Sequence, residues 1–277
     1  MTPQAEINTR YPNRPLKDQV AIVTGANSGI GEGVARYMSA AGAKVAVNYV
    51  VNPEAADAIV QDINAYGGKA IAVQGDVSKE ADVQRMFAET IGQFGALDIL
   101  INNAGLQRDS KIADMTLDQW NFVIGVNLTG QFLCAREAIR QFKKQGPRQV
   151  SASLGKIVCM SSVHEIIPWA THVNYASSKG GVKLLMQSLA QECAPDKIRV
   201  NSIGPGAIKT PINTSAWNTP EAEKSLLTLI PYGRVGIVDD IGKAAVWLSS
   251  DESEYVVGTT LLVDGGMCLY PGFSTNG

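Results

Sequence analysis

Tyr175-Ala176-Ser177-Ser178-Lys179 places a phenol and an ammonium four residues apart. On a helix that spacing projects both from one face, so the two groups can share a site. A phenol near pKa 10 is a poor acid or base at neutral pH, and a neighbouring cation favours its phenolate form. The same pair also arises by chance on solvated helices, so its meaning depends on other segments. Ser161-Ser162 lies one loop upstream and adds hydroxyls, and Thr24-Gly25-Ala26-Asn27-Ser28-Gly29-Ile30-Gly31 adds a glycine-rich turn.

The elements that must position these groups alternate along the chain. Gln19 to Val23 reads as an apolar strand running into the glycine turn, after which Ile30, Val34, Met38 and Ala41 recur at helical spacing. Glycines let the backbone turn tightly, and a helix N-terminus beside them offers N–H groups to a pyrophosphate. Lys44 to Tyr49 is a second strand, which completes a unit of the length expected for dinucleotide binding. The glycine spacing is Gly25-x3-Gly29-x-Gly31, not the GxGxxG form.

Beyond it, Pro53 to Tyr66 reads as helix, Lys69 to Val73 as strand, and Ser78 to Phe94 as helix with Ser78 as its N-cap. Leu97 to Ile101 is a strand ending in Asn102-Asn103-Ala104-Gly105, small polar residues at a carboxyl end where open α/β sheets bind ligands. Thr116 and Gln119 form a capping box for a long helix reaching about Lys144, and Gln145 to Leu154 is a polar surface loop. Lys156 to Met160 is a strand ending at Ser161-Ser162. The Tyr175 helix, a strand from Arg199 to Ile203, a helix from Asp239 to Ser249 and a strand from Thr260 to Val263 complete the series. Gly204-Pro205-Gly206 opens an irregular stretch lasting to about Pro220, which reads as a lid or a loose loop. The pattern predicts one doubly wound parallel sheet with helices on both faces, with residues 1–16 as a polar N-terminal arm and 17–277 as a single domain.

Composition agrees with a compact α/β protein: 45% hydrophobic, 18% charged and 27 glycines in 277 residues. A formal charge of −2 gives no electrostatic footprint for nucleic acid. Cys134, Cys159, Cys193 and Cys268 are far apart, and His164 and His172 are the only histidines, so no metal site is expected. Three of the cysteines lie in apolar stretches and read as buried thiols. No apolar run is long enough to cross a bilayer and no apolar signal core opens the chain, so a cytoplasmic location without membrane association is expected.

The glycine turn, Asn102-Asn103-Ala104-Gly105, Ser162, Tyr175-x3-Lys179 and Pro205-Gly206 stand together in one order, and over residues 17 to about 272 they resemble the short-chain dehydrogenase/reductase family. The resemblance implies a single-domain Rossmann fold on a seven-stranded sheet, usually assembled as a homotetramer, moving hydride between NAD or NADP and an alcohol or carbonyl. It assigns Tyr175 as general acid/base, Lys179 as the cation that lowers the Tyr175 pKa and holds the nicotinamide ribose, and Ser162, thirteen residues before the tyrosine, as the hydroxyl on the reacting oxygen. Asn127 matches an asparagine that supports a proton-relay water. For the cofactor it implies Gly25, Asn27, Ser28, Gly29, Ile30 and Gly31 at the pyrophosphate, Asp76 and Val77 at the adenine, and Asn103, Ala104 and Gly105 on the ribose side. Pro205, Gly206, Ile208 and Thr210 match the nicotinamide segment, with Tyr175 and Lys179 also touching the cofactor. Asp76 reads equally well as a capping acid before Ser78.

An acid at the end of the second strand would bind a ribose 2′-hydroxyl and an Arg a 2′-phosphate. Asn48-Tyr49-Val50-Val51-Asn52 has neither, and Val50 stands where related sequences often carry Arg, which favours NAD with NADP as the alternative. Ser161-Ser162-Val163-His164-Glu165, the segment from Gly204 to Asn213, and the ending from Asp264 to Tyr270-Pro271 and Phe273 resemble the bacterial glucose 1-dehydrogenase subgroup. That resemblance implies oxidation of D-glucose to gluconolactone, with Gln107, Ser162, His164 and Tyr175 around the substrate. Gln107 replaces the subgroup's usual acid, and the 145–154 loop and the N-terminal arm are additions that could alter subunit contacts or sugar preference. Trp169 and Trp217 read as sugar-facing walls or, more simply, as core or lid packing. The alternatives are a reductase of ketones or 3-oxoacyl thioesters, and a non-catalytic dinucleotide-binding sensor.

Overall fold

Seven parallel strands in the order β3-β2-β1-β4-β5-β6-β7 form the sheet. The computed structural model describes residues 1–269. The strands are β1 (Val20–Val23), β2 (Lys44–Tyr49), β3 (Lys69–Gln74), β4 (Ile99–Asn102), β5 (Gly155–Met160), β6 (Ile198–Pro205) and β7 (Thr260–Val263). Every residue of β1, β4, β5 and β6 is buried, because helices cover both faces and each strand is therefore an apolar run instead of an alternation.

Successive side chains divide between two cores. Ala21, Val23, Val45, Val47, Ile99 and Ile101 face one core, and Ile22, Ala46 and Leu100 face the other. The first core is closed by α2 (Gly29–Ala40), α3 (Pro53–Ala65) and α9 (Val238–Ser249). The second is closed by α4 (Glu80–Phe94), α6 (Gly130–Gln145) and α7 (Val173–Cys193). Each fully buried Ile or Leu in these cores is worth about 1.5–3 kcal/mol. A Cβ on Gly33 would lie 2.8 Å from Val238 Cβ, and one on Gly242 2.6 Å from Tyr37 Cδ2, so these glycines set the close approach of α2 and α9.

Two local expectations are corrected and one helix is added. Ser78 does not cap α4: the helix begins at Glu80, and Ser78 donates from its N–H (3.0 Å) and Oγ (2.7 Å) to Asp76. The Thr116–Gln119 capping box is present, but the long helix is α5 (Leu117–Ile124), a π-helical turn (Gly125–Thr129) and then α6. The stretch after β6 ends, at the expected Pro220, in α8 (Pro220–Leu227), started by Thr219 accepting from Ala222 N–H at 3.2 Å with Pro220 at the first helical position.

The segment read as a polar arm is docked onto the body. Its helix α1 (Gln4–Thr9) buries Ile7, Leu16 is also fully buried, and Gln4 Nε2 donates to Arg36 O at 3.2 Å. The 145–154 loop is tied down at the amino ends of the strands: Arg148 pairs with Asp98, and Ser151 Oγ donates to Asp251 Oδ1 at 2.6 Å. That end is opposite the one at which Asn103 and Ser162 emerge, so the loop bears on the site only through the body of the sheet. Cys134, Cys159 and Cys193 are buried thiols and Cys268 is half-buried. Among the described residues, no helix is long and apolar enough to cross a membrane.

Candidate functional site

The strand order reverses between β1 and β4, and ligands of open α/β sheets bind in the crevice at such a switch point. The glycine turn leaves β1 there with Gly25 at φ +59° and Gly29 at φ +57°, backbone that favours glycine. Gly31 is excluded from bearing a side chain by packing: its Cβ would lie 2.2 Å from Gly25 O and 2.5 Å from Asn103 Nδ2. Ser28 precedes α2 in extended conformation and gives it no side-chain cap, so the first N–H groups of α2 are left for an anion. The turn thus fits a dinucleotide pyrophosphate. Asn27 Nδ2 donates instead to Val51 O at 2.8 Å, joining the turn to the end of β2.

Asn103 serves the turn from β4, its Nδ2 donating to Thr24 O (2.8 Å) and Gly25 O (3.1 Å), while Thr24 Oγ1 accepts from the Asn103 and Ala104 N–H groups at 2.9 Å. Ala104 is close enough that a Cβ on Gly25 would meet its Cα at 3.0 Å. Gly206 N–H donates to Val263 O at 3.1 Å, which fastens the Pro205-Gly206 segment to β7. Ile208 is buried, and a Cβ on Gly29 would lie 3.6 Å from Thr210 Cβ, which places Thr210 beside the glycine turn. Thr210 N–H and Oγ1 donate to Asn213 Oδ1 at 3.1 and 2.9 Å, and Trp217 Nε1 donates to the same oxygen at 3.1 Å, so Trp217 is spent on packing this segment. Asp76 accepts from Ser78 and lies 3.5 Å from Lys79 Nζ. Burial pulls its carboxyl up, the Ser78 bonds and Lys79 outweigh it, and the net direction is down. Val77 is buried against Gly130.

Ser162, Tyr175, Lys179 and Asn127 come together from β5, α7 and the π turn. Ser161 is committed elsewhere, donating to Glu165 Oε2 at 2.6 Å, whereas Ser162 Oγ accepts from His164 N–H at 3.2 Å. Burial raises the Tyr175 pKa, and hydrogen bonding with Ser162 and Gln107 opposes it. The expected lowering by Lys179 is therefore not the net effect. Lys179 Nζ stands 5.4 Å from the Tyr175 ring centre and donates to Met160 O at 2.8 Å, and burial lowers its own pKa to about 8. Asn127 is fully buried, with Oδ1 accepting from Leu106 N–H at 2.9 Å and Nδ2 donating to Leu106 O (3.0 Å) and Ser178 Oγ (3.2 Å). A Cβ on Gly105 would lie 3.5 Å from Asn127 Oδ1 and 3.7 Å from Lys179 Nζ, so both atoms flank that glycine. π-helical turns frequently mark functional positions, and here one aims Asn127 at the loop after β4.

On the open side, the His164 ring is 6.2 Å from that of Tyr175 and stacks at 4.2 Å on Trp169. Burial lowers the His164 pKa, so the ring is neutral at pH 7. Residues 270–277, including Tyr270, Pro271 and Phe273, lie outside the described residues. Among the described residues, no group of three or more His, Cys, Asp or Glu is gathered as for a metal ion.

Sequence reading passed over several buried amides that hold these pieces together. Asn48 is fully buried: Oδ1 accepts from Gly25 N–H at 3.0 Å and Nδ2 donates to Gly75 O at 2.9 Å. Asn102 Nδ2 donates to Gln131 O (3.0 Å), Gln131 Nε2 to Met160 O (3.2 Å), and Asn174 Nδ2 to Arg108 O (2.9 Å). An isolated amide near the end of an otherwise apolar strand is the signal that could have found Asn48, since a buried amide must be satisfied.

This arrangement, a dinucleotide-binding crevice beside a Ser, Tyr and Lys cluster, defines the class. A family model described as "Enoyl-(Acyl carrier protein) reductase" matches residues 25–268. The chain is 46% identical over 259 residues to the 3beta-hydroxysteroid dehydrogenase 1 of Eggerthella lenta, covering 93% of this chain and 97% of that one. To glucose 1-dehydrogenase 2 of Bacillus subtilis it is 39% identical over 259 residues, covering 93% and 98%. A crystal structure of a gluconate 5-dehydrogenase from Burkholderia cenocepacia in complex with NADP and tartrate superposes with a TM-score of 0.84 at 33% identity, covering 91% of this chain and 96% of that one. The chain belongs to the short-chain dehydrogenase/reductase family. It is an NAD(P)-dependent oxidoreductase.

Proposed function

We propose that this enzyme oxidises a secondary alcohol of a sugar or polyol, with D-glucose to gluconolactone as the favoured reaction and NAD as the preferred cofactor. The observation that carries the reading is the setting of the Tyr175 ring, with the His164 ring centre 6.2 Å and Lys179 Nζ 5.4 Å from its centre. A pocket of hydroxyl, amide and imidazole groups suits a polyhydroxyl substrate, because an analogue that leaves one of them unpaired is penalised. The similarity to a glucose 1-dehydrogenase from Bacillus subtilis supports the same reading.

The bound NAD(P) supplies the hydride acceptor or donor. In oxidation Tyr175 Oη takes the proton of the reacting hydroxyl as its own proton passes to the relay water near Lys179, and in reduction the same path runs backwards, Oη giving its proton to the carbonyl oxygen. Ser162 Oγ donates a hydrogen bond to that oxygen as charge shifts onto it. Lys179, still mostly protonated at pH 7, holds the nicotinamide ribose and keeps positive charge beside the Tyr175 ring. Asn127 fixes the Leu106 backbone and has one Oδ1 lone pair left for a relay water near Lys179. Gly25, Asn27, Ser28, Gly29, Ile30 and Gly31 receive the pyrophosphate, Asp76 and Val77 the adenine side, Asn103, Ala104 and Gly105 the ribose side, and Pro205, Gly206, Ile208 and Thr210 the nicotinamide. The absence of Arg at exposed Val50 supports NAD over NADP.

A panel of sugars, polyols, 3β-hydroxysteroids and oxoesters with each cofactor tests the reading. NADH formation with D-glucose or a related sugar is expected. Turnover confined to hydroxysteroids would replace it with the second reading, which the 46% identity to the Eggerthella lenta enzyme supports. Equal kcat/KM with NAD and NADP would overturn the cofactor preference. A homotetramer is the proposed assembly. Leu117, Phe122, Phe132 and Leu184 are exposed apolar side chains available for it, and light scattering in solution gives the subunit number.

A further inference from the structure

Trp169 is held on both faces. His172 stacks on it at 3.6 Å and 3°, and His164 at 4.2 Å and 16°. Two imidazoles that close to one indole centre would overlap if they shared a face, so the indole lies between them. Neither face is left for a sugar to stack on; the indole meets Tyr175 edge-on at 6.0 Å.

The stack is anchored at its outer end. His172 is buried, its Nε2 lies 3.0 Å from Asp109 Oδ1, and its Nδ1 lies 3.0 Å from both Ala170 O and Thr171 Oγ1. Thr171 has φ +67°, a strained value for a β-branched residue, and this turn brings His172 back over the indole. Ser110 N–H donates to Thr171 O at 2.9 Å and Asn174 Nδ2 to Arg108 O at 2.9 Å. The loop carrying Gln107 is therefore sewn to the loop carrying His164.

The inner end of the stack faces the reaction. His164 Nδ1 lies 3.0 Å from Ile167 O, and a carbonyl only accepts, so Nδ1 carries the proton and Nε2 of the neutral ring is an acceptor. Ring stacking on Trp169 and the bond to Ile167 leave that ring little freedom to turn.

We propose that His172 and Trp169 are positioning residues that determine specificity, fixing His164 beside Tyr175 as an acceptor for a second substrate hydroxyl, so that the pocket selects a vicinal polyol over an isolated secondary alcohol. The proposal rests on the reading that Tyr175 and Ser162 take the reacting hydroxyl. An isolated alcohol leaves His164 Nε2 without its donor, whereas a hydroxyl on the adjacent carbon supplies one.

The test compares wild type, His172→Ala, His172→Phe and Trp169→Ala, with D-glucose as the polyol and cyclohexanol as the isolated alcohol. His172→Ala is expected to raise KM for glucose about tenfold with kcat changed less than about threefold, and to cut the glucose-to-cyclohexanol ratio of kcat/KM about tenfold. His172→Phe, which keeps a ring on Trp169, is expected to restore both to within about threefold of wild type. Unchanged selectivity in His172→Ala, or failure of His172→Phe to rescue it, would overturn the proposal. If His172→Ala does not fold, Trp169→Ala, which removes the ring that His164 stacks on, gives the answer by the same selectivity loss or its absence. If wild type turns over neither substrate, the function reading fails, and the clamp is judged by Trp169 emission, taken as the difference from Trp169→Phe. A rise of about twofold or more in His172→Ala supports the clamp, because a stacked imidazole has been removed, and no change refutes it.

Discussion

Lys156 sits at the amino end of β5, almost fully buried, with Nζ donating to Gln19 Oε1 and Ser151 Oγ at 2.6 Å each. Burial lowers its pKa from 10.5 to about 8, with Arg199 and Arg148 adding to the effect and Asp251 and Asp98 opposing it. The folded state thus disfavours the protonated form, and between pH 8 and 10.5 the unfolded chain binds more protons. Stability rises with pH through that window, and the cost is fully present below it. At about 1.36 kcal/mol per tenfold change in proton affinity, the cost is about 3 kcal/mol. Lys156→Met removes the titration but leaves Gln19 and Ser151 short of a donor, a loss that is the same at every pH. Urea unfolding at one fixed protein concentration is the assay, run at pH 7 and pH 10. The stability difference, wild type minus variant, is expected to rise by about 2–3 kcal/mol from pH 7 to pH 10. A difference that stays flat with pH would refute the reasoning, since it would mean that Lys156 is charged at no cost in the folded state.

Tyr175→Phe is expected to lower kcat/KM by about 10²-fold or more while circular dichroism and Tm stay near wild type; undiminished turnover would rule out the proposed proton transfer. Gly31→Ala brings a Cβ to 2.2 Å from Gly25 O and 2.5 Å from Asn103 Nδ2, so the turn must shift at a cost of about 1–3 kcal/mol. Calorimetric titration should then show NAD affinity reduced about tenfold or more, and unaltered affinity would separate this turn from the cofactor. Val50→Arg places a guanidinium at the exposed end of β2, where a charge-assisted bond to a 2′-phosphate is worth about 1.5–3 kcal/mol. The NADP-to-NAD ratio of kcat/KM should rise about tenfold, and an unchanged ratio would place the adenosine ribose elsewhere.

Much of the fold was legible because helical and strand periodicity report burial directly. Lys44 to Tyr49 and Thr260 to Val263 match β2 and β7 to the residue and Gln19 to Val23 matches β1 within one, since each is a largely apolar run, while α2 shows in the helical spacing of Ile30, Val34 and Met38. The π turn at Gly125–Thr129 left no mark, because its residues have ordinary helical φ and ψ at both caps and the extra residue answers to a distant partner, the Leu106 backbone. Ser78 was misassigned because a serine before a helix reads as a cap, while in the fold Asp76 competes for its hydrogen bonds.

The sequence by itself determined the order of elements, the identity of the chemical groups and the family, because these depend on local pattern and on motifs that recur in one order. Only the tertiary structure decided what those groups experience. The Tyr175 pKa moves up and not down because burial outweighs its hydrogen bonds, and Lys179 turns its Nζ to Met160 O. Trp169 is closed on both faces because His164 and His172, separated by eight positions, are folded back over it by the turn at Thr171. Burial, through-space neighbours and loop closure are sums over residues far apart in the chain, and no local pattern carries them.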